Sequence, residues 1–235
     1  MARSDGRKSK ELRPVKMTRG FLETAEGAVL MEMGRTRVIC TASVDDTVPP
    51  FLRGQGKGWI TAEYGMLPRS SSSRIPREST RGRVKGRTHE IQRMIGRALR
   101  AVVDLEAIGE RTIIIDCDVI EADGGTRTAS VTGGFVALYD ALRLMRLEGA
   151  LKGCVAAVSV GIVDGTVLMD LDSSEDSCAE VDMNFVIDSD GNDREIQGTA
   201  EGCVFGEKEL DRMKRYAKAG VKSLISEQKR TLKLK

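Results

Sequence analysis

Between Thr112 and Met145 the hydrophobic pattern of the chain changes period once, across a pair of glycines. Thr112 to Ile120 carries Ile113, Ile114, Ile115 and Val119, a strand-like run. After Gly124-Gly125-Thr126-Arg127-Thr128 the apolar residues return at helical steps, at Val131, Phe135, Leu138, Leu142 and Met145. The segment therefore reads as strand, tight turn, helix. Two glycines allow the backbone to turn sharply and to approach a ligand closely. A helix start leaves about four N–H groups without intrahelical partners. With two threonine hydroxyls and a guanidinium beside them, the segment can cradle an anion. A Gly-Gly turn with a threonine cap can equally do no more than start a helix.

The same alternation runs along the rest of the chain. Val15 to Phe21, Ala28 to Met33 and Thr36 to Val44 read as a meander of short strands, and Trp59 to Gly65 as a further strand. Ile91, Met94, Ile95, Ala98, Leu99, Val102 and Val103 mark a helix, with Arg87 close to its start. Val155 to Val163 is an apolar strand that turns through Asp164-Gly165 into Thr166 to Leu171. Val181, Met183, Phe185 and Ile187 alternate with polar residues, and Arg194 to Thr199 follows as another strand. An amphipathic helix spans about Glu207 to Gln228. This order predicts an α+β fold, mixed sheets backed by helices, with a first half over 1–150 and a second over 151–235.

Charge is distributed unevenly. From Arg69 to Arg100, nine arginines and Lys85 face only Glu78 and Glu90, so this segment is about +8 and the remainder about −6. Either the segment meets a polyanion, or its arginines are solvated or pair between subunits. The preponderance of arginine over lysine favours planar, bidentate recognition. Arg93 and Arg97, on the polar side of the helix, are read with the basic segment as RNA contacts. Pro68 to Arg77 contains Ser70 to Ser73 and reads as a long polar loop. Aromatics at 4% argue against base stacking as the main mode of nucleic-acid binding.

Candidates for covalent catalysis are few. His89 is the only histidine, and it reads as a helix-terminal or packing residue. The cysteines, at 40, 117, 154, 178 and 203, lack CxxC spacing and read mostly as small core hydrophobes. Together with the lack of an apolar stretch of some 18 residues and of an apolar leader, they lead us to expect a reduced, cytoplasmic protein without a membrane span. Asp170, Asp172, Glu175, Asp176, Glu180 and Asp182 form an acidic stretch. Near a phosphate site it suggests Mg²⁺, but a solvated hairpin is the alternative. In one straight strand Asp176 and Asp182 would stand roughly 20 Å apart, so they can meet only if the chain bends between them. Without a protein nucleophile, the chemistry expected is one in which phosphate or water attacks and the protein positions reactants and stabilises charge.

The run Gly54 to Arg69, Gly86-Arg87-Thr88, Glu90 to Gly96, Ala122 to Ser130, Val155 to Val163 and Gln197 to Gly202 resemble the ribonuclease PH family. The resemblance extends over nearly all of the chain from Arg13 to Gln228. It implies a fold of ribosomal-protein-S5-like βαβ units and a phosphate-dependent 3′→5′ exoribonuclease that trims precursor tRNA and other RNA 3′ ends. Inorganic phosphate is the implied co-substrate, nucleoside diphosphates the products, and nucleotide addition the reverse reaction. The same resemblance assigns phosphate binding to Arg87, Gly125, Thr126 and Arg127. It makes Asp176 and Asp182 the metal-linked acidic pair for Mg²⁺, with Arg127 counted among the catalytic residues. Arg69, Arg74 and Arg77 match a loop linked to tRNA binding and subunit contacts. Asn184 lies where some phosphorolytic relatives carry lysine. The implied assembly is a homohexamer, a trimer of dimers. The alternatives are a non-catalytic RNA-binding ring subunit, which would be expected to lack one or more of Arg87, Arg127 and Asp182, and a catalytic subunit of a mixed ring.

Overall fold

A computed structural model describes residues 3–200 and 204–234. Cys203 and the Glu201-Gly202 end of the last family-like motif lie outside them. The first sheet contains β1 (Val15–Arg19), β2 (Gly27–Met33), β3 (Thr36–Asp45), β4 (Trp59–Met66) and β5 (Thr112–Glu121), in the order β1-β2-β3-β5-β4. The three N-terminal strands form the expected antiparallel meander. β4 and β5 are parallel and are joined through α1 (Gly86–Arg100) and the short α2 (Leu105–Ile108). The second sheet, in the order β7-β6-β8-β9, is antiparallel throughout, so parallel pairing is confined to β4 and β5. Its strands are β6 (Val155–Val163), β7 (Thr166–Met169), β8 (Val181–Asp188) and β9 (Asp193–Ala200). Asp164 and Gly165, at φ 46° and 67°, make the tight hairpin between β6 and β7.

Helix α3 (Thr126–Leu144) packs on β2 and β3 of the first sheet and on β6 of the second. Its residues are buried from Thr128 to Tyr139 without interruption. A helix that is apolar all round belongs inside a protein rather than on its surface. Gly133 supplies clearance: a Cβ there would lie 2.8 Å from Cys40 Sγ and from Met31 Cβ. One apolar core runs through both sheets, α1, α3 and the C-terminal helix α5 (Glu207–Leu232). No helix among the described residues is long and apolar enough to cross a membrane.

Two short helices were absent from the sequence reading, α2 and one within the acidic stretch. α4 (Ser173–Ser177) is a five-residue helix. Asp172 caps it by accepting from Ser174 N–H and Glu175 N–H, while the Glu175 carboxylate accepts from Asp172 N–H. This reciprocal box is written in the sequence as Asp172-Ser-Ser-Glu175. The acidic stretch is thus a short helix followed by a strand, not a solvated hairpin. Ser70 also departs from the polar-loop expectation. It is 2% exposed, and its carbonyl accepts from Ala122 N–H at 2.7 Å.

Candidate active site at the ends of two parallel strands

Because β4 and β5 run side by side in the same direction, the segments that follow them leave the sheet at the same edge. The chain after β4 leads into α1, and the chain after β5 leads through Gly124-Gly125 into α3. Both helices therefore begin over the carboxyl ends of the parallel pair, the usual place for a ligand crevice in such an arrangement. Here a cavity of about 570 Å³ opens, lined by Arg87 and Thr88 of α1 and by Gly124 to Arg127. The second sheet closes it with Ser159, Asp182 and Asn184, and α4 contributes Ser173 and Asp176.

Gly124 and Gly125 both adopt left-handed backbone, at φ 75° and 66°. Gly124 also has no room for a side chain: a Cβ would lie 2.5 Å from Leu171 O. Gly125, with no side chain to cap with, occupies the N-cap position of α3, and Lys85 that of α1 without capping it, while the Glu78 carboxylate accepts from Lys85 N–H at 3.2 Å and from the Thr88 hydroxyl at 2.9 Å. Two helix N-termini thus face one cavity, and each brings an arginine in its first turn. Such an end favours a bound anion through its free N–H groups and its dipole.

The threonines divide differently from the sequence reading. Thr126 lines the cavity, and its hydroxyl meets that of Tyr64 at 2.9 Å. Thr128 is fully buried and donates to Gly125 O at 2.9 Å, so it braces the turn from inside instead of facing a ligand. Tyr64 is a site residue that sequence reasoning missed. It sits on β4 inside the family-like run and carries no motif of its own. Burial raises the pKa of its hydroxyl, against the opposing pull of Thr126, Arg87 and Arg127. The phenol is therefore neutral at physiological pH and can serve as a donor.

Asp176 and Asp182 do converge. Asp176 lies on α4, Asp182 follows on β8, and the bend at Cys178 brings both to the cavity. Burial raises the pKa of Asp182, and the neighbouring charge of Asp176 adds to the rise. Arg127, Arg87 and a hydrogen bond with Asn184 act in the opposite direction. Asn184, two residues along β8, lines the cavity beside Asp182. Both arginines act on Tyr64 and on Asp182, which places cationic and anionic groups around one space. Among the described residues, no group of three or more histidine, cysteine or acidic side chains gathers as a metal site. Two carboxylates with like-charge repulsion nevertheless fit Mg²⁺, which takes one or two carboxylates together with substrate phosphate oxygens.

The remaining arginines named from the sequence are spread more widely. Arg77 lines the mouth of the cavity, while Arg69 and Arg74 are exposed on the preceding loop. Arg93 is exposed on α1 away from the cavity lining. Arg97 is engaged elsewhere: it forks onto Glu195 of β9 at 3.0 and 2.5 Å, tying α1 to the second sheet. His89 is exposed and contacts Gln92 at 3.1 Å, with no place in the cavity. Cys40, Cys117 and Cys154 are buried as expected, whereas Cys178 is exposed.

The arrangement has clear relatives among solved structures. The rice (Oryza sativa) Rrp46 crystal structure matches with a TM-score of 0.80 at 19% identity, covering 98% of this chain and 100% of that one. A chain of the Archaeoglobus fulgidus exosome with RNA bound to the active site matches at 0.81 and 22% identity, over 95% and 91% of the two chains. A chain of an archaeal exosome core matches at 0.79 and 21% identity, over 97% and 91%. At these identities the likeness speaks for the fold. Sequence models carry it further. Residues 11–143 match domain 1 of the 3′ exoribonuclease family, the RNase PH model, and residues 153–220 match domain 2 of the same family. With both domains matched in order around one two-sheet cavity, the chain belongs to the RNase PH-type 3′ exoribonuclease family.

Proposed function

We propose that this protein is a phosphorolytic 3′→5′ exoribonuclease that trims precursor tRNA and other RNA 3′ ends with inorganic phosphate. The observation that carries the reading is the pair of uncapped helix N-termini, each bearing an arginine, Arg87 and Arg127, over the same cavity as Tyr64 and Asp182. Such a place suits a small, highly charged oxyanion. In the reaction, a phosphate oxygen attacks the terminal phosphorus of the RNA. The bond from that phosphorus to the penultimate 3′ oxygen breaks, and its electron pair stays on that oxygen, which takes up a proton. The last residue leaves as a nucleoside diphosphate; the reverse reaction adds one.

The protein's part is positional and electrostatic. Gly125, Thr126, Arg127 and Arg87 hold phosphate in line, and the donors keep its charge compensated as the new bond forms. Asp176 and Asp182 would hold Mg²⁺, which when bound supplies charge neutralisation at the leaving oxygen. The exposed Arg69 and Arg74, with Arg77 at the mouth, steer the RNA through its backbone. Labelled tRNA with a 3′ extension, incubated with Mg²⁺ and phosphate, should release nucleoside diphosphates. Release of monophosphates regardless of phosphate would reject the reading.

The proposed assembly is a homohexamer, a trimer of dimers. The exosome chains of similar fold support a second arrangement, in which this chain is the catalytic subunit of a mixed ring. Size-exclusion chromatography with light scattering on the isolated protein separates the two, since an active hexamer of this chain alone excludes the need for a partner.

A further inference from the structure

The segment before β1 belongs to neither sheet, yet Arg3 and Arg13 are 7% and 4% exposed. Arg13 forks onto Asp170, with Nε to Oδ2 at 3.0 Å and Nη2 to Oδ1 at 2.6 Å. Its backbone N–H also donates to Asp170 Oδ2, at 2.7 Å. The same guanidinium donates to Asp123 O and, at 3.4 Å, to Gly124 O. It thus grips the turn that forms the anion cradle. Arg3 makes a second fork, both arms at 2.7 Å, onto the two oxygens of Glu175. Glu175 precedes Asp176 and closes the capping box of α4. Arg3 also donates to Asp170 O at 2.8 Å and Met169 O at 2.9 Å.

One connected network therefore joins the Gly124 turn, the Asp170 backbone and the helix that carries Asp176. Asp170 itself is fully buried and adopts φ 57°, a left-handed conformation uncommon for a non-glycine residue. Buried ion pairs offer little stability beyond what apolar packing would give. A two-armed guanidinium fork does supply direction. We propose that residues 3–13 form a strap that sets the spacing between the phosphate cradle and the acidic pair, with Arg13 positioning the first and Arg3 the second. The proposal rests on the phosphorolytic reading of the site.

Lysine keeps the charge at each position but cannot make the fork. In the full chain, Arg13→Lys should raise KM for phosphate roughly tenfold and leave the half-saturating Mg²⁺ concentration unchanged. Arg3→Lys should do the reverse, by a similar factor. Hydrogen exchange should quicken at 124–128 in the first variant and at 173–178 in the second, with β6 and the middle of α3 unaltered. If Arg13→Lys does not fold, Asp170→Asn takes its place. A fall in kcat alone, with both half-saturation values and the exchange rates unmoved, would overturn the strap and leave a plain loss of folded protein. Should the wild type fail to phosphorolyse RNA, the functional reading fails. The strap is then decided by exchange and by calorimetry with inorganic phosphate, in which Arg13→Lys must still bind more weakly.

Discussion

Tyr64 and Thr126 meet hydroxyl to hydroxyl at 2.9 Å, which fastens the end of β4 to the first turn of α3. The contact joins one strand of the βαβ crossover to the helix that follows the other. It also presents a neutral phenol next to Arg87 and Arg127. Tyr64→Phe should therefore weaken phosphate without unfolding the protein. We expect KM for phosphate to rise by roughly 10–100-fold, the loss of one hydrogen bond to a charged group, while the thermal midpoint moves little. Steady-state kinetics in phosphate beside a thermal melt checks both parts.

Arg127 has a different weight, because its charge faces the cavity and not the core. Arg127→Ala should lower phosphorolysis by roughly 100–1,000-fold, the usual consequence of deleting a preorganised donor. Its RNA affinity, measured by filter binding, should stay within about threefold of wild type because the basic loop is intact. An equal loss of both would contradict the assignment to phosphate.

Asp182 is a half-buried carboxylate beside Asp176, so its charge is unfavourable to the fold in the absence of a cation. Asp182→Asn keeps the shape and removes that charge. Activity should fall roughly 100-fold or more, while the melting midpoint at neutral pH should hold or rise. The expected signature is an inactive variant at least as stable as its parent, read by activity and calorimetry together.

On the proposed reading, the basic loop would bind RNA through counterion release. Arg74→Ala should weaken RNA binding at low salt and reduce the slope of log affinity against log salt by about 0.7, the value for one phosphate contact on a single strand. Titrations at several salt concentrations test this. An unchanged slope would remove Arg74 from the RNA path.

Asp188, at the turn between β8 and β9, provides a pH test away from the site. Burial pushes its pKa up, but Asn192, through both backbone and side chain, and Arg194 hold it below the usual carboxylate value. Asp188 Oδ1 accepts from the backbone N–H groups of Asp190 and Asn192, both at 2.9 Å, and Oδ2 accepts from Arg194 Nε at 2.7 Å. A depressed folded pKa means that the stabilisation is complete above the unfolded pKa of about 3.9 and fades as pH falls through the folded value. Asp188→Asn should melt roughly 4 °C lower at pH 7, with the difference shrinking below about pH 4.

The long elements were legible because each repeats its period several times. Thr112–Glu121, α1 and α5 follow directly from their apolar spacing, and the Asp164-Gly165 hairpin from its turn residues. α4 was not legible by period, since five residues contain barely one turn; only its capping box marks it. The burial of α3 on both sides is a tertiary fact that a stripe of Val131, Phe135 and Leu138 does not disclose. Thr126 and Thr128 look equivalent in sequence, yet the pitch of the helix turns one to the cavity and the other to its own backbone. Arg3 and Arg13 were missed for a further reason. Their partners lie more than 150 residues away, at Glu175 and Asp170, and nothing local announces such a contact.

The burial of α3 has a consequence for the timing of order in the catalytic cycle. The turn that would receive phosphate is the cavity-facing tip of a rod clasped by both sheets. The conformational entropy of holding Gly124, Gly125 and Arg127 in place is therefore spent when the chain folds, not again at each turnover. On the proposed reading, phosphate would meet a receptor that is already set.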